Sequence, residues 1–172
     1  MTVKVNVFLK YAAVILSSSV LGCDSAEYQS VSSAAEEKTS SPTDVCYEIR
    51  EATCNGDVDK FLTLVNDDLE FFKEMKMMVR DPSIKKNTSK EMKKDAENLQ
   101  LIVSKEVVNG RKAYLIVNVK RLDINRRRNQ LWLFTKKHNT WKFTVGDDAT
   151  EENMIKVEEW MTNDEITPFG RK

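Results

Sequence analysis

The chain has 172 residues, of which 31% are charged, and its formal net charge is zero. That length suits one ordinary domain, and the balanced charge gives no general pull toward nucleic acid. The single histidine excludes a histidine-rich metal site and leaves one base for any Ser–His or Cys–His pair.

Residues 1–22 carry Lys4 and Lys10, no acidic residue, and the 12-residue apolar run "YAAVILSSSVLG" from Tyr11 to Gly22. A basic start, a short apolar run and small residues at its end describe a secretory signal peptide. A membrane-spanning helix takes about 20 apolar residues, more than this run offers. The run ends in "VLGC", which resembles the lipobox of bacterial lipoproteins: an aliphatic residue, a tolerant position, a small residue, then cysteine. Leu21 departs from the pattern, because a smaller residue is commoner there. The resemblance implies cleavage before Cys23 and attachment of diacylglycerol to its thiol, followed by acylation (palmitate) of the new N-terminus. Stable anchoring takes more than one acyl chain, at about 0.8 kcal/mol per buried CH₂. The implied location is the bacterial cell envelope, membrane-anchored and facing the periplasm or exterior. Asp24 would mark retention in the inner membrane by the rule known for enteric bacteria.

Residues 23–41 form the lipidated cysteine and a linker, "DSAEYQSVSSAAEEKTSS" after Cys23. This composition cannot bury enough apolar surface to fold. As a coil of 18 residues it reaches roughly 20–25 Å. A globular domain is expected over 42–172. "SPTD" sets Ser41 as a helix cap, with Pro42 at the first turn and Asp44 completing a capping box. Val45, Ile49 and Ala52 or Thr53 recur at helical spacing. Asn55-Gly56 stops that helix, and Asp57 caps the next. A third helix is predicted over Asp67–Val79 with Leu69, Phe72, Met75 and Val79 on one face. Pro82 is predicted to break it. "TSKE" from Thr88 is a second capping box, opening a helix to about Asn98.

The pattern then changes to strands. "QLIVSKEVV" is β-branched, Asn109-Gly110 is a hairpin signal, and "RKAYLIVNVKRL" alternates with period two. Ala113, Leu115, Val117 and Val119 share one face. "DINRRRN" reads as a charged turn. "QLWLFTKKH" and "WKFTVGD" are two further strands around a tight turn at His138. Thr150 caps a short last helix with Met154, Val157 and Met161 in line.

The stretches "VCYEIREATCNGDVDKFLTLV", "EVVNGRKAYLIVNVK" and "LWLFTKKHNTWKFTV" in this order resemble the nuclear-transport-factor-2-like (NTF2-like, cystatin-like) superfamily. The nearest likeness is to small bacterial lipoproteins with lumazine-binding-like or uncharacterised domains. The resemblance implies an α+β fold, with N-terminal helices packed on a curved antiparallel sheet of about four strands, cone-like, plus a short C-terminal helix. It implies an apolar pocket as well, and a family in which some members are enzymes and many only bind. Residues 150–172 depart from it by adding an acidic helix and tail.

Candidate chemistry is sparse, and neither a cofactor nor a metal is expected. His138 lies in a turn sequence, "KKHNT", without a partner for general-base work. Cys46 and Cys54, eight residues apart, would stand about 12 Å apart along one helix. A disulfide needs Cα atoms within about 7 Å, so both read as core thiols unless Cys54 frays from the helix end. Phe72, Trp132, Phe134 and Trp141 read as core or as a pocket lining. Trp132 and Phe134 point opposite to Leu131 and Leu133, so one pair is expected inward and the other outward. Arg126, Arg127 and Arg128 are the densest basic run: residues 111–128 carry a net +6 against −5 for 147–172. That run reads as a solvated hairpin tip, as a match to the acidic helix, or as a headgroup or acidic-partner site. The expected function is a lipid-anchored envelope protein with a non-catalytic domain that binds a partner protein or small apolar ligand. The alternative is a small enzyme of the same fold using a buried carboxylate or a tyrosine, Tyr47 or Tyr114.

Overall fold

The computed structural model describes residues 40–169, so the expected signal peptide, Cys23 and nearly all of the expected linker lie outside the described residues. Four helices come first: α1 (Pro42–Asn55), α2 (Val58–Leu64), α3 (Glu70–Met78) and α4 (Pro82–Ala96). Four strands follow, β1 (Leu99–Asn109), β2 (Lys112–Arg121), β3 (Arg126–Lys137) and β4 (Thr140–Asp148), and then α5 (Glu151–Trp160). The strands pair antiparallel in the order β1-β2-β3-β4. The architecture is α+β, with helices preceding a curved four-stranded antiparallel sheet and a helix closing the chain.

Local chemistry sets the helix ends. The Ser41 hydroxyl accepts from the Asp44 amide at 3.1 Å, and the Asp44 carboxylate accepts from the Ser41 amide at 2.8 Å, so the expected capping box is formed. Gly56 ends α1 at φ +60°, and a Cβ there would stand 2.5 Å from Ser89 Oγ and 2.6 Å from Ser89 O. Only glycine satisfies both the left-handed turn and the close approach of α4.

Three predicted boundaries are corrected. The helix expected over Asp67–Val79 starts at Glu70, because the Asn66 side chain accepts from the Asp68 amide at 3.0 Å and holds these residues in a turn. The break expected before Thr88 does not occur. Asp81 caps α4 by accepting from the Ser83 and Ile84 amides, Pro82 occupies its first turn, and the helix runs through Thr88, whose hydroxyl donates to Ile84 O. Arg126–Arg128 are not in the turn; they belong to β3, opposite Arg121, Lys120 and Val119 of β2.

Bulges bend both outer strands. Ser104 is the unpaired residue of β1 and Thr144 that of β4, and each kinks its strand and increases the local twist. The β1–β2 and β3–β4 hairpins are tight. Gly110 opens the first loop at φ +58°, while His138 and Asn139 turn the second at φ +47° and +61°, the pair of positive angles that a type I′ turn needs.

The sheet is buried on both faces. Ala113, Leu115, Val117, Val119, Trp132, Phe134 and Phe143 face the helices of the N-terminal half. Tyr114, Leu131 and Leu133 face Val157, Trp160 and Met161 of the C-terminal segment. The expectation that one pair of β3 residues would point outward is therefore corrected: α5 covers the second face. Trp160, completely buried, anchors that cover. Its indole N–H donates to Glu165 O at 2.8 Å, and Lys112 Nζ lies 4.7 Å from the ring centroid while donating to Trp160 O at 2.7 Å.

Trp160→Ala is expected to destabilise the fold by about 3–5 kcal/mol, and Ile155→Ala, on the exposed side of α5, by no more than about 0.5 kcal/mol. Urea unfolding of the two variants beside the parent chain measures both; equal losses would contradict a second core under α5.

Candidate functional site

Three groupings bear on function. The first is aromatic. Phe72 of α3, Trp132 and Phe134 of β3 and Trp141 of β4 all lie within the larger core. Phe143 is at its centre, with ring centroids 6.4 Å from Phe72, 5.3 Å from Trp132 and 5.7 Å from Phe134, all edge-to-face. The Trp132 indole donates to Gln130 Oε1 at 3.1 Å, which satisfies its buried N–H. Trp141 is flanked by the Lys136 ammonium, 5.7 Å from the ring centroid. Phe72, Trp132 and Phe134 are thus brought together by packing edge-to-face onto Phe143, and Trp141 belongs to the same core. Of the methionines beside Phe72 in sequence, Met75 is buried and Met77 is exposed.

Titratable groups are distributed away from this cluster. Cys46 is buried and its thiol is pushed up to about 12 by desolvation, partly opposed by Arg50, so it stays protonated at neutral pH and is not nucleophilic. Cys46 and Cys54 are both free thiols. Tyr47 is exposed on α1, and Tyr114 is buried against α5 rather than among the aromatics. Asp95 of α4 is half-buried; burial and then Glu91 raise its carboxyl, with Lys94 and Arg121 opposing. His138 is exposed in its turn. Among the described residues no three His, Cys, Asp or Glu side chains converge as metal ligands.

The second grouping is polar, and sequence reasoning missed it. The segment after α2 runs parallel to β4 at Val65 and Phe143, with the Asn66 amide donating to Phe143 O at 2.7 Å. Asn66 Nδ2 donates to Thr135 Oγ1 at 3.0 Å, and Thr135 and Thr144 share a hydroxyl hydrogen bond of 3.1 Å. These bonds fix Asp67 and Asp68 beside Lys137, whose Nζ donates to them at 2.8 and 2.7 Å. Lys76 adds a 3.3 Å contact to Asp67. The hydrogen bond from Lys137, then that from Lys76, holds the Asp67 carboxyl at about 2. Burial lowers Lys142, whose ammonium donates to Thr63 O. The cluster is an ion-pair latch between the α2–α3 connection and the β3–β4 hairpin. Its only sequence signal is "NDD" at 66–68, which looks like any solvated turn.

The third grouping is the basic end of the β2–β3 hairpin. Arg126 stands opposite Arg121, and Arg127 opposite Lys120. Arg121 is held by Asp123 at 2.6 Å, and Arg128 lies 3.9 Å from Asp148. The three arginines of β3 are exposed, as is Ile124 at the turn.

No family model and no curated protein matches the chain. Among solved structures, the chain is similar to a SEC-C motif containing protein from Rhodopseudomonas palustris, at 14% identity over 65% of this chain and 81% of that one, with a TM-score of 0.45. It is also similar to a Campylobacter jejuni protein provisionally named an NTF2-like transpeptidase, at 12% identity over 62% and 99% with a TM-score of 0.42. A third is an NTF2-like protein of unknown function from Cytophaga hutchinsonii, at 12% identity over 67% and 95% with a TM-score of 0.37.

The latch predicts a pH signature. A carboxyl held at about 2 against an ordinary 3.8 contributes stability that is complete above 3.8 and is lost as pH falls through 2. NMR titration of Asp67 should give a midpoint near 2 in the parent chain, moving toward 3.8 in Lys137→Met. An unchanged midpoint would show that Lys137 does not hold the carboxylate.

Proposed function

We propose that the protein is a lipid-anchored cell-envelope protein whose domain is a non-catalytic binding module for a partner protein. The observation that carries this reading is the contrast between interior and surface. Phe72, Trp132 and Phe134 pack edge-to-face on Phe143 and Trp141 is buried in the same core, whereas the basic hairpin end is exposed. A domain with its apolar faces satisfied internally recognises partners through exposed charged ends and edges rather than by enclosing a small apolar molecule. The anchor half of the reading rests on "VLGC" and the polar tether that follows it. The envelope setting is the periplasm or exterior side of a membrane, with Asp24 favouring the inner one.

Asp95 gives the enzymatic alternative its one specific support, as a half-buried carboxyl raised by its surroundings. Turnover of an envelope substrate that disappears in Asp95→Asn would establish that alternative.

Intact-mass analysis of the protein extracted from membranes tests the main reading. Expected are an N-terminus at Cys23 and the added mass of two or three acyl chains, both abolished by Cys23→Ser with release from the membrane fraction. An uncleaved chain or an unmodified Cys23 would overturn the anchor, and a small apolar molecule retained by the purified protein would overturn the partner-protein assignment.

A further inference from the structure

Building on the reading of the chain as a tethered binding module, we propose that the basic end of the β2–β3 hairpin docks an acidic polypeptide. The docking end lies at the opposite end of the sheet from the start of α1.

Like charges directly opposite on neighbouring strands destabilise a sheet. This hairpin places two such pairs in succession, Arg121 with Arg126 and Lys120 with Arg127. Successive residues point to opposite faces, so the two pairs spread positive charge over both faces of the hairpin end. Asp123 and Asp148 approach Arg121 and Arg128 only. Among the described residues no carboxylate lies within 4.0 Å of Lys120, Arg126 or Arg127. An anionic partner would offset the internal repulsion.

Two further observations decide the kind of anion. The first is apolar exposure beside the charge. Ile124 at the turn is 57% exposed and Ile102 on β1 is 52% exposed. Ile102 stands opposite Asn118, which stands opposite Asn129, so these three share one face with Lys120 and Arg127. Cations, amides and isoleucines suit a peptide carrying both carboxylates and apolar side chains. Single-stranded nucleic acid would want stacking aromatics, and among the described residues the exposed ones of this end include none.

The second observation is position. The tether enters at α1, whose Thr43 amide donates to Glu106 of β1 at 3.0 Å, and Glu106 pairs with Leu115. Lys120 lies five residues further along β2, roughly 17 Å at 3.3 Å per residue, and the chain continues away to the Ile124 turn. An anchor at Cys23 would join the domain at the end away from this surface, so headgroups of the same bilayer would be less readily within its reach than a protein partner.

The test uses the full chain in phosphatidylcholine nanodiscs, with fluorescent poly-L-glutamate followed by anisotropy. Arg126→Glu with Arg127→Glu is expected to weaken binding at least about tenfold, and Arg126→Lys with Arg127→Lys to keep it within about twofold. The Glu variant turns both like-charge pairs into opposite-charge pairs, so it should melt no lower than the parent and loss of folding cannot mimic loss of binding. Equal affinity of parent and Glu variant would overturn the proposal. So would recruitment to phosphatidylglycerol vesicles that depends on Arg126 and Arg127 while poly-L-glutamate fails to compete. The mass of Cys23 in the same sample separates a failure of the tether reading from a failure of the docking site.

Discussion

Residues 131–134 of β3, Leu-Trp-Leu-Phe, alternate between two cores, and each of the four is buried. Strand geometry forces this alternation, because neighbouring side chains point to opposite faces. A strand that is apolar at every position can be satisfied only if both faces of its sheet are covered. The helices of the N-terminal half cover one face, and α5, pinned by Trp160 and by Lys112 from β2, covers the other. Each buried aromatic or aliphatic side chain contributes about 1.5–3 kcal/mol relative to exposure, so leaving either face open would cost several such contributions at once.

That arrangement bears on where function is sited. Three of the aromatic residues that sequence alone allows as a pocket lining, Phe72, Trp132 and Phe134, meet around Phe143, and the second face is occupied by the C-terminal helix. The polar features are pushed to the ends of the sheet. At one end, the Asp67, Asp68 and Lys137 latch ties the α2–α3 connection to the β3–β4 hairpin. These ions are well over a third exposed on the acidic side, so the latch serves geometry more than net stability. At the β2–β3 end, like charges face each other, and among the described residues carboxylates lie at only two of the five cations. The first cluster is internally matched in charge and the second is not, which is why the second is the better candidate for recognition.

Much of the fold was legible because its signals are local. The capping box at Ser41 and Asp44, the stop at Gly56, the alternation of Ala113, Leu115, Val117 and Val119 and the cap at Thr150 each depend on a few neighbouring residues. Misreadings arose where one local signal admits two outcomes. Pro82 ends α3 but also begins α4, and the preceding Asp81 decides in favour of a start. Three consecutive arginines suggest a turn, yet pairing with β2 carries the strand through them. The burial of both β3 faces depends on Trp160, which lies about 27 residues downstream in an acidic helix. No periodicity within β3 reports that contact, although its unbroken apolar run is the composition of a doubly covered strand. The latch was illegible for the same reason: Asp67 and Lys137 are 70 residues apart, and only the parallel pairing of Val65 with Phe143 brings them together.

Native-state hydrogen exchange tests the two-core account most directly. Leu131, Trp132, Leu133 and Phe134 should exchange only through global unfolding, with equal free energies that match the stability from denaturant titration. Exchange of these β3 amides at a markedly lower free energy, together with opening of α5, would show that the C-terminal helix is an appendage rather than the second half of the core.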